Sequence, residues 1–142
     1  MATYLLTIPG RLPGLNEYVD ACRGHYQEGG RFKKRCQELV CWYVLKCLRN
    51  RTIDRPVFLK FTWYEQDKRR DMDNVSSFGR KVIQDALVTS GVLHDDGWGY
   101  VVGYSDKFHV DKENPRIVVE IIEQDGTVQP RRRNGGGANG RQ

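Results

Sequence analysis

The segment 68–74, KRRDMDN, places three cations directly before two carboxylates, Asp71 and Asp73. In an extended strand end, residues i and i+2 share one side, so both carboxylates can converge on one site. Oxygen ligands at this spacing suit Mg²⁺ or Mn²⁺, which favour carboxylates and retain water molecules. Such an ion can hold a phosphodiester oxygen and activate water. The segment therefore predicts metal-assisted phosphodiester chemistry, with the cations contacting neighbouring phosphates.

A structural interpretation of the same carboxylates stays open. Asp73 is an ordinary candidate for the N-cap of the helix that follows. Asp71 could pair with Arg69 or Arg70 on the surface, an interaction that contributes little to stability. An Asp-x-Asp motif taken alone therefore does not establish a metal site.

A second acidic pair, Asp95 and Asp96, follows the predicted helix. These residues could supply further metal ligands, or they could form a surface turn with Gly97. Because a helix of this length rises about 25 Å, spacing alone does not show that the two acidic pairs meet. Trp98, next to this turn, could stack on an unpaired base, although packing is more usual for a large aromatic side chain.

Further basic side chains lie on either side of this region. Arg80 and Lys81 project from the polar side of the predicted helix, where they could stabilise phosphate charge or be solvated. The basic run 31–35, with Phe32 inserted, could bind phosphate and stack a base, or be a solvated segment before a helix. The candidate DNA-binding residues are Lys68, Arg69, Arg70, Asn74, Arg80, Lys81, Arg31, Lys33 and Lys34.

Hydrophobic periodicity predicts the elements that position these residues. Strands are expected at 3–8, 57–64, 100–110 and 116–123, and two main helices at 36–48 and from about Asp73 to Ser90. Residues 15–35 are polar and contain glycine, which indicates a loop. The order β–α–β–α–β–β predicts a small single α/β (α+β) domain, residues 1–125, with a mixed sheet of about four strands. Residues 126–142, rich in glycine and arginine, are expected to be disordered.

The composition limits the classes of protein that remain. The chain has 142 residues and a net charge of +5, which suits a polyanionic partner without identifying one. It has no apolar run long enough for a membrane span and no visible secretory signal, so a cytoplasmic protein is expected. The four cysteines lack zinc-finger spacing and are expected to be small buried thiols.

Several motifs occur together in one order. RRDMDNV at 69–75 is followed by DAL at 85–87 and GVLHDD at 91–96, and IPGRLPGLN at 8–16 precedes them. In this combination the chain, over roughly residues 4–122, resembles the RusA family of Holliday junction resolvases. The resemblance implies a small endonuclease that works as a homodimer with Mg²⁺ or Mn²⁺ and without a nucleotide cofactor. It also implies symmetric cutting of four-way DNA junctions, in a family with many phage-encoded members.

The resemblance also implies roles for individual residues. Asp71 and Asp73 match the first two catalytic carboxylates of the family, and Asp96 matches the third. The metal ligands implied are therefore Asp71, Asp73 and Asp96, with Asp95 beside them. The basic run 68–70 matches the cations that precede the carboxylates in the family.

One position departs from the family pattern. The family often carries a lysine four residues after the second aspartate, and this chain has Ser77 there. Lys81 lies one helical turn further on the same side, so we hypothesise that its ammonium replaces the missing one. Two alternatives stay open, which are a DNA-binding module without catalysis and a nuclease for flaps or other branched DNA.

Overall fold

The structure is a computed structural model, and it describes residues 1–129. A four-stranded mixed sheet, in the order β1-β4-β2-β3, carries three helices. β4 pairs antiparallel with β1 and β2, and β2 pairs parallel with β3. The elements in chain order are β1 (Thr3–Pro9), α1 (Leu15–Arg23), α2 (Glu28–Leu48), β2 (Val57–Glu65), α3 (Met72–Thr89), β3 (Val101–Val110) and β4 (Arg116–Glu123). This arrangement confirms the predicted α+β domain and its four strands.

The core lies between the sheet and the helices. Alternate side chains of β2, from Val57 to Trp63, are buried, as their period of two predicts. Gly79 lets α3 approach this layer, because a Cβ there would lie 3.0 Å from ring atoms of Trp63. The buried face of α3 matches its predicted apolar stripe of Val75, Phe78, Val82, Ile83, Ala86 and Leu87. The hydrophobic patterns therefore position α3 against the centre of the sheet.

The prediction of a loop over 15–35 was wrong. Residues 15–23 form α1, whose first turn is capped by a hydrogen bond from the Gly14 N–H to Glu17. Tyr18 of α1 stacks on Phe78 of α3 at a centroid distance of 4.6 Å. α2 begins at Glu28, so the basic run 31–35 is helical, and the domain has three helices rather than two main ones. The contact of the half-buried Tyr18 with another helix adds stability that the polar sequence of this segment does not reveal.

The four cysteines are all free thiols, but they are less buried than expected. Cys36 is buried and Cys41 is partly buried, whereas Cys22 and Cys47 are exposed. Cys47 lies at the edge of the α2 stripe, so helical spacing alone overestimated its burial.

Hydrogen bonds fix the end of the described chain. The N–H of Val128 donates to the Asp54 carbonyl, and the Tyr100 hydroxyl donates to the Gln129 carbonyl. Residues 126–129 are therefore attached to the domain, contrary to the expectation of disorder from residue 126. The rest of the predicted disordered tail, residues 130–142, lies outside the described residues. Among residues 1–129, no helix has the length and apolar character needed to cross a membrane.

Candidate active site

The two carboxylates of the Asp-x-Asp motif lie in the first turn of α3. Asp71 is the N-cap, and its Oδ1 accepts a hydrogen bond of 2.8 Å from the Asn74 N–H. Asp73, expected at the cap, lies inside the first turn, and its Oδ1 accepts a 2.7 Å hydrogen bond from the Ser77 hydroxyl. Both aspartates are exposed, and within residues 1–129 neither forms an ion pair. The helix start thus presents two carboxylates to solvent.

Arg70 is a structural anchor of this helix start. Its Nη2 lies 2.8 and 3.0 Å from the two carboxylate oxygens of Glu65, the last residue of β2. Its Nη1 also donates to the Leu12 carbonyl. The Arg70 side chain is only 13% exposed, and Arg11 adds a second cation 3.4 Å from Glu65. These contacts, rather than a pairing with Asp71, occupy the Arg70 guanidinium. The sequence had suggested that this guanidinium binds phosphate.

Asn74 performs a similar structural task. Its Oδ1 accepts a 2.8 Å hydrogen bond from the Asn16 N–H in the first turn of α1. Gly14 is required beside it, because a Cβ there would lie 2.7 Å from Asn74 Oδ1 and 3.0 Å from Arg70 Nη1. The Asn74 Oδ1 therefore joins α1 to α3, and the DNA contact of Asn74 stays a prediction.

The other two cations of the basic run are available to a ligand. Lys68 and Arg69 are exposed in the bend before Asp71. Arg69 has only a loose contact, with its Nε 3.6 Å from Asp67, and its side chain is 88% exposed. Two exposed cations beside two exposed carboxylates suit a polyanion whose phosphates flank a reacting position.

Asp96 reaches α3 further along the helix, at Lys81. The Lys81 Nζ lies 3.6 Å from Asp96 Oδ2 and 3.2 Å from Asp85 Oδ1. The hydrogen bond to Asp85 and the charges of both carboxylates raise the pKa of Lys81 above its ordinary value of 10.5, despite an opposing effect of partial burial. Lys81 therefore carries its full charge at neutral pH and holds the third carboxylate in place.

This pairing separates Asp96 from the first two carboxylates. Lys81 lies eight residues after Asp73, which corresponds to about 12 Å along a helix axis. Asp95 is also engaged, because its Oδ1 accepts a 2.8 Å hydrogen bond from the Asp96 N–H. Within the part of the chain that the structure describes, no three His, Cys, Asp or Glu side chains form a group that could hold a metal ion. The expected convergence of Asp71, Asp73 and Asp96 is thus not present.

The remaining donor set still suits one kind of metal site. Mg²⁺ is commonly bound by one or two protein carboxylates, with water and substrate phosphate oxygens as its other ligands. Asp71 and Asp73 are the exposed carboxylates that could supply these ligands, one as the N-cap of α3 and the other in its first turn. A site with three or more carboxylates does not fit this arrangement.

Two cavities lie where α3 meets the edge strand β3. One, of about 390 Å³, borders Asp71 and Lys68 and is also lined by Met72, Phe108 and Val110. The other, of about 450 Å³, is lined by Gln84, Asp96, Trp98, Val101, Val102, Gly103 and Tyr104. The first cavity therefore borders Asp71, and the second borders Asp96.

Trp98 lines the second cavity and is 96% exposed. The more usual outcome for such a residue, burial in a core, does not occur. An exposed indole has a large apolar face in contact with water, so the interpretation as a platform for an unpaired base keeps its support.

Arg80 of α3 pairs with an acid of β3. Its Nη1 is 2.7 Å from Asp106 Oδ2, and its guanidinium lies 4.4 Å from the centre of the Tyr104 ring. Asp106 also accepts a hydrogen bond from the buried Trp63 indole. Arg80 is therefore a link between α3 and β3, and its charge is largely balanced.

The remaining predicted DNA contacts lie on α2. Lys33 pairs with Asp85 of α3 at 2.8 Å, whereas Lys34 is exposed and Arg31 contacts Gln27. Sequence reasoning missed the acidic partners Glu65 and Asp85. A signal for Glu65 was present, since its place in the alternation of β2 predicts an acid on the buried face, which requires a cation.

The fold and the site together define a class of protein. Exposed carboxylates at a helix start, with exposed cations before them and a concave surface beside them, are typical of proteins that act on phosphodiesters. The family comparison agrees, because the model of the endodeoxyribonuclease RusA family matches residues 25–122. The match covers more than half of the chain, and the chain therefore belongs to the RusA endodeoxyribonuclease family. No curated protein matches the chain.

Family membership establishes the broad activity. The protein is an endodeoxyribonuclease, in a family that acts on branched DNA junctions. The matched range contains both acidic segments and Lys81, whereas the motif at 8–16 lies before it.

Proposed function

We propose that the protein is a divalent-metal-dependent nuclease that resolves four-way DNA junctions as a homodimer. The observation that carries this proposal is the pair Asp71 and Asp73, which is exposed and unpaired with cations among residues 1–129. The exposed Lys68 and Arg69 directly precede it. Membership of the RusA family supports the choice of substrate.

Asp71 and Asp73 would hold a Mg²⁺ or Mn²⁺ ion in this proposal. When bound there, such an ion supplies an electrophile for a phosphate oxygen and lowers the pKa of an attacking water. Asp71 is oriented by its hydrogen bond to the Asn74 N–H, and Asp73 by the Ser77 hydroxyl. Ser77 thus positions a carboxylate at the place where the family often has a lysine.

The cations of the chain act on the DNA phosphates in two ways. Lys68 and Arg69 bind phosphates next to the scissile one, which gives sequence-independent affinity. Lys81 keeps its proton and presents a positive charge two helical turns from Asp73. That position suits a phosphate of the same strand beyond the cleavage point, or the negative charge that develops in the reaction if Asp96 releases the ammonium.

Trp98 and the neighbouring concave surface favour branched DNA over a plain duplex. A side chain that is 96% exposed can stack on a base only where the base is unpaired or unstacked. The centre of a four-way junction and the base of a flap both provide such bases.

A second candidate function has its own observation. Asp96 is held by Lys81 rather than lying beside Asp71 and Asp73, and Ser77 replaces the lysine of the family. A relative that binds junctions without cutting them would tolerate both features.

A cleavage assay separates these functions. A four-way junction and a flap with the same arm sequences are incubated with the full chain in Mg²⁺, in Mn²⁺ or in EDTA. We expect paired symmetric nicks in the junction with either metal and none in EDTA. Preferred cutting of the flap would show that a flap, rather than a four-way junction, is the substrate. A junction that is bound but uncut in both metals would show that the protein is a DNA-binding module without catalysis.

Asp73→Asn tests the site itself. The substitution removes a metal-binding charge but not the basic surface, so cleavage should be lost while junction binding in a gel-shift assay persists. Asp20→Asn is the matched control, because Asp20 is an exposed aspartate of α1 with only a 4.0 Å contact to Arg23. Equal cleavage by both variants would contradict the assignment.

A further inference from the structure

The outward face of α2 carries an unusual set of apolar side chains. Leu39, Trp42 and Leu45 are 49%, 56% and 50% exposed. They lie opposite the buried stripe of Cys36, Val40, Val44 and Leu48 that packs on the core. Single exposed apolar residues are normal on a protein surface, but three large ones grouped on one helix face indicate an interaction site.

The sequence of this face is symmetric about Trp42. Residues 38–46 read ELVCWYVLK, so Leu39 mirrors Leu45 at three positions on either side. Glu38 mirrors Lys46 at four positions on either side, with opposite charge. A helix with this pattern is complementary to a second copy of itself that runs in the opposite direction, as a two-fold axis requires.

Helix-packing geometry turns this symmetry into contacts. Residues 38, 42 and 46 form an i, i+4 ridge, and ridges of this kind interdigitate when two helices cross at about 50°. In an antiparallel pair centred on Trp42, Glu38 would lie beside Lys46 of the partner subunit. The two Trp42 side chains would meet at the two-fold axis. Arg35 and Arg49 mirror each other at seven positions on either side of Trp42 and carry the same charge, but they lie in the neighbouring rows, outside this ridge.

The isolated chain leaves the charged members of the ridge available. The Lys46 Nζ lies 5.3 Å from the centre of the Trp42 ring, so the ammonium is already held over the indole. Glu38 is exposed and forms no ion pair with any residue of the range 1–129. Charge complementarity between two copies requires an unpaired carboxylate and a cation. This helix has both, each four positions from Trp42.

We propose that the face formed by Glu38, Leu39, Trp42, Leu45 and Lys46, the α2 face, is the homodimer interface of this protein. The occupant is a second copy of the chain in antiparallel orientation across a two-fold axis. That the protein forms a dimer rests on the proposed function, and the inference adds which surface forms the dimer interface. The edge strand β3, with exposed Val102 and Tyr104, is the competing surface.

Sedimentation of the full chain without DNA tests the interface directly. We expect a monomer–dimer equilibrium in the wild type. Trp42→Ala should raise the dimer dissociation constant by at least about tenfold, since central tryptophans dominate interface energies. Trp98→Ala is the matched control, because it removes an exposed tryptophan from another surface and should leave dimerisation unchanged. A wild-type chain that stays monomeric, or a dimer that Trp42→Ala does not weaken, would overturn the proposal.

A charge swap gives a second test. Glu38→Lys alone would place two lysines together across the two-fold axis and weaken the dimer. Adding Lys46→Glu restores opposite charges and should recover most of the lost affinity, although the contact of Lys46 with Trp42 is lost. If the double variant is no better than the single one, Glu38 does not face Lys46 of the partner subunit and the orientation is wrong.

These measurements are independent of catalysis. A wild-type dimer that depends on Trp42 but cuts no DNA would retain the interface and refute the nuclease. Junction cleavage by a protein whose dimer is insensitive to Trp42 would retain the nuclease and refute the α2 face.

Discussion

The two acidic segments of this protein differ in what holds them. The segment that ends at Asp71 and Asp73 is anchored by a neighbour, Arg70, which binds Glu65 and leaves both aspartates facing solvent. In the segment with Asp95 and Asp96, both acids are partly buried. The Asp95 Oδ1 accepts a hydrogen bond from the neighbouring N–H, and Asp96 binds the cation Lys81.

This difference separates two roles for the same side chain. Asp71 and Asp73 each accept one hydrogen bond at Oδ1 and are exposed to solvent. Asp95 and Asp96 are partly buried, and Asp96 would have to give up its contact with Lys81 to bind a metal ion. Asp71 and Asp73 are therefore the better candidate ligands.

Asp71→Asn and Asp95→Asn compare the two segments in cleavage. Asparagine is as good an N-cap as aspartate, so Asp71→Asn retains the helix start and removes only the charge. We expect junction cleavage to fall by at least about a hundredfold, because metal-ion catalysis is worth several kcal/mol. Asp95→Asn should reduce it by less than about tenfold. Equal losses in single-turnover cleavage rates would show that both segments supply metal ligands.

Arg70→Met and Arg69→Met compare the two neighbouring cations in stability. Loss of Arg70 leaves the Glu65 carboxylate, on the buried face of β2, with only Arg11 as a partner. We expect the free energy of unfolding in urea to fall by about 3 kcal/mol. Arg69→Met, at an exposed side chain, should change it by less than about 0.5 kcal/mol. Equal stabilities would mean that Arg70 does not anchor the helix start.

Lys81→Met tests the cation of the second segment in cleavage. If Lys81 supplies the charge that the family lysine provides elsewhere, the variant should cut junctions about tenfold more slowly. DNA binding and folding should be retained. Lys60→Met is the control, because Lys60 lies on the face of β2 opposite the buried one. Cleavage at the wild-type rate by a folded Lys81→Met would exclude this role.

The same lysine predicts a small effect of pH on stability. Its pKa is raised above 10.5, chiefly by the hydrogen bond to Asp85, so its pairing stabilises the fold fully below that pH. The contribution is lost as pH rises through the raised value. The side chain is 58% exposed, so the free energy of unfolding of the wild type should exceed that of Lys81→Met by less than about 1 kcal/mol. Denaturation curves should show this difference unchanged near neutral pH and diminishing above pH 10.5.

Local patterns were sufficient for part of the fold and of the site. The alternation along β2, the buried stripe of α3 and the end of α3 at Gly91 were all predicted. Gly91 adopts φ +81°, and the Val92 N–H donates to the Leu87 carbonyl, as a helix end of this type requires. The sequence also placed Asp71 and Asp73 at the start of this helix.

The tertiary structure decided how separate elements meet. Sequence spacing did not reveal that Arg70 binds Glu65, that Lys81 holds Asp96, or that Trp98 stays exposed. It also missed α1, whose Tyr18 is held by Phe78 from another helix. The physical reason is the same in each case. Helix and strand periods fix neighbours within one element, whereas a partner from another element depends on how the packed layers bring distant segments together.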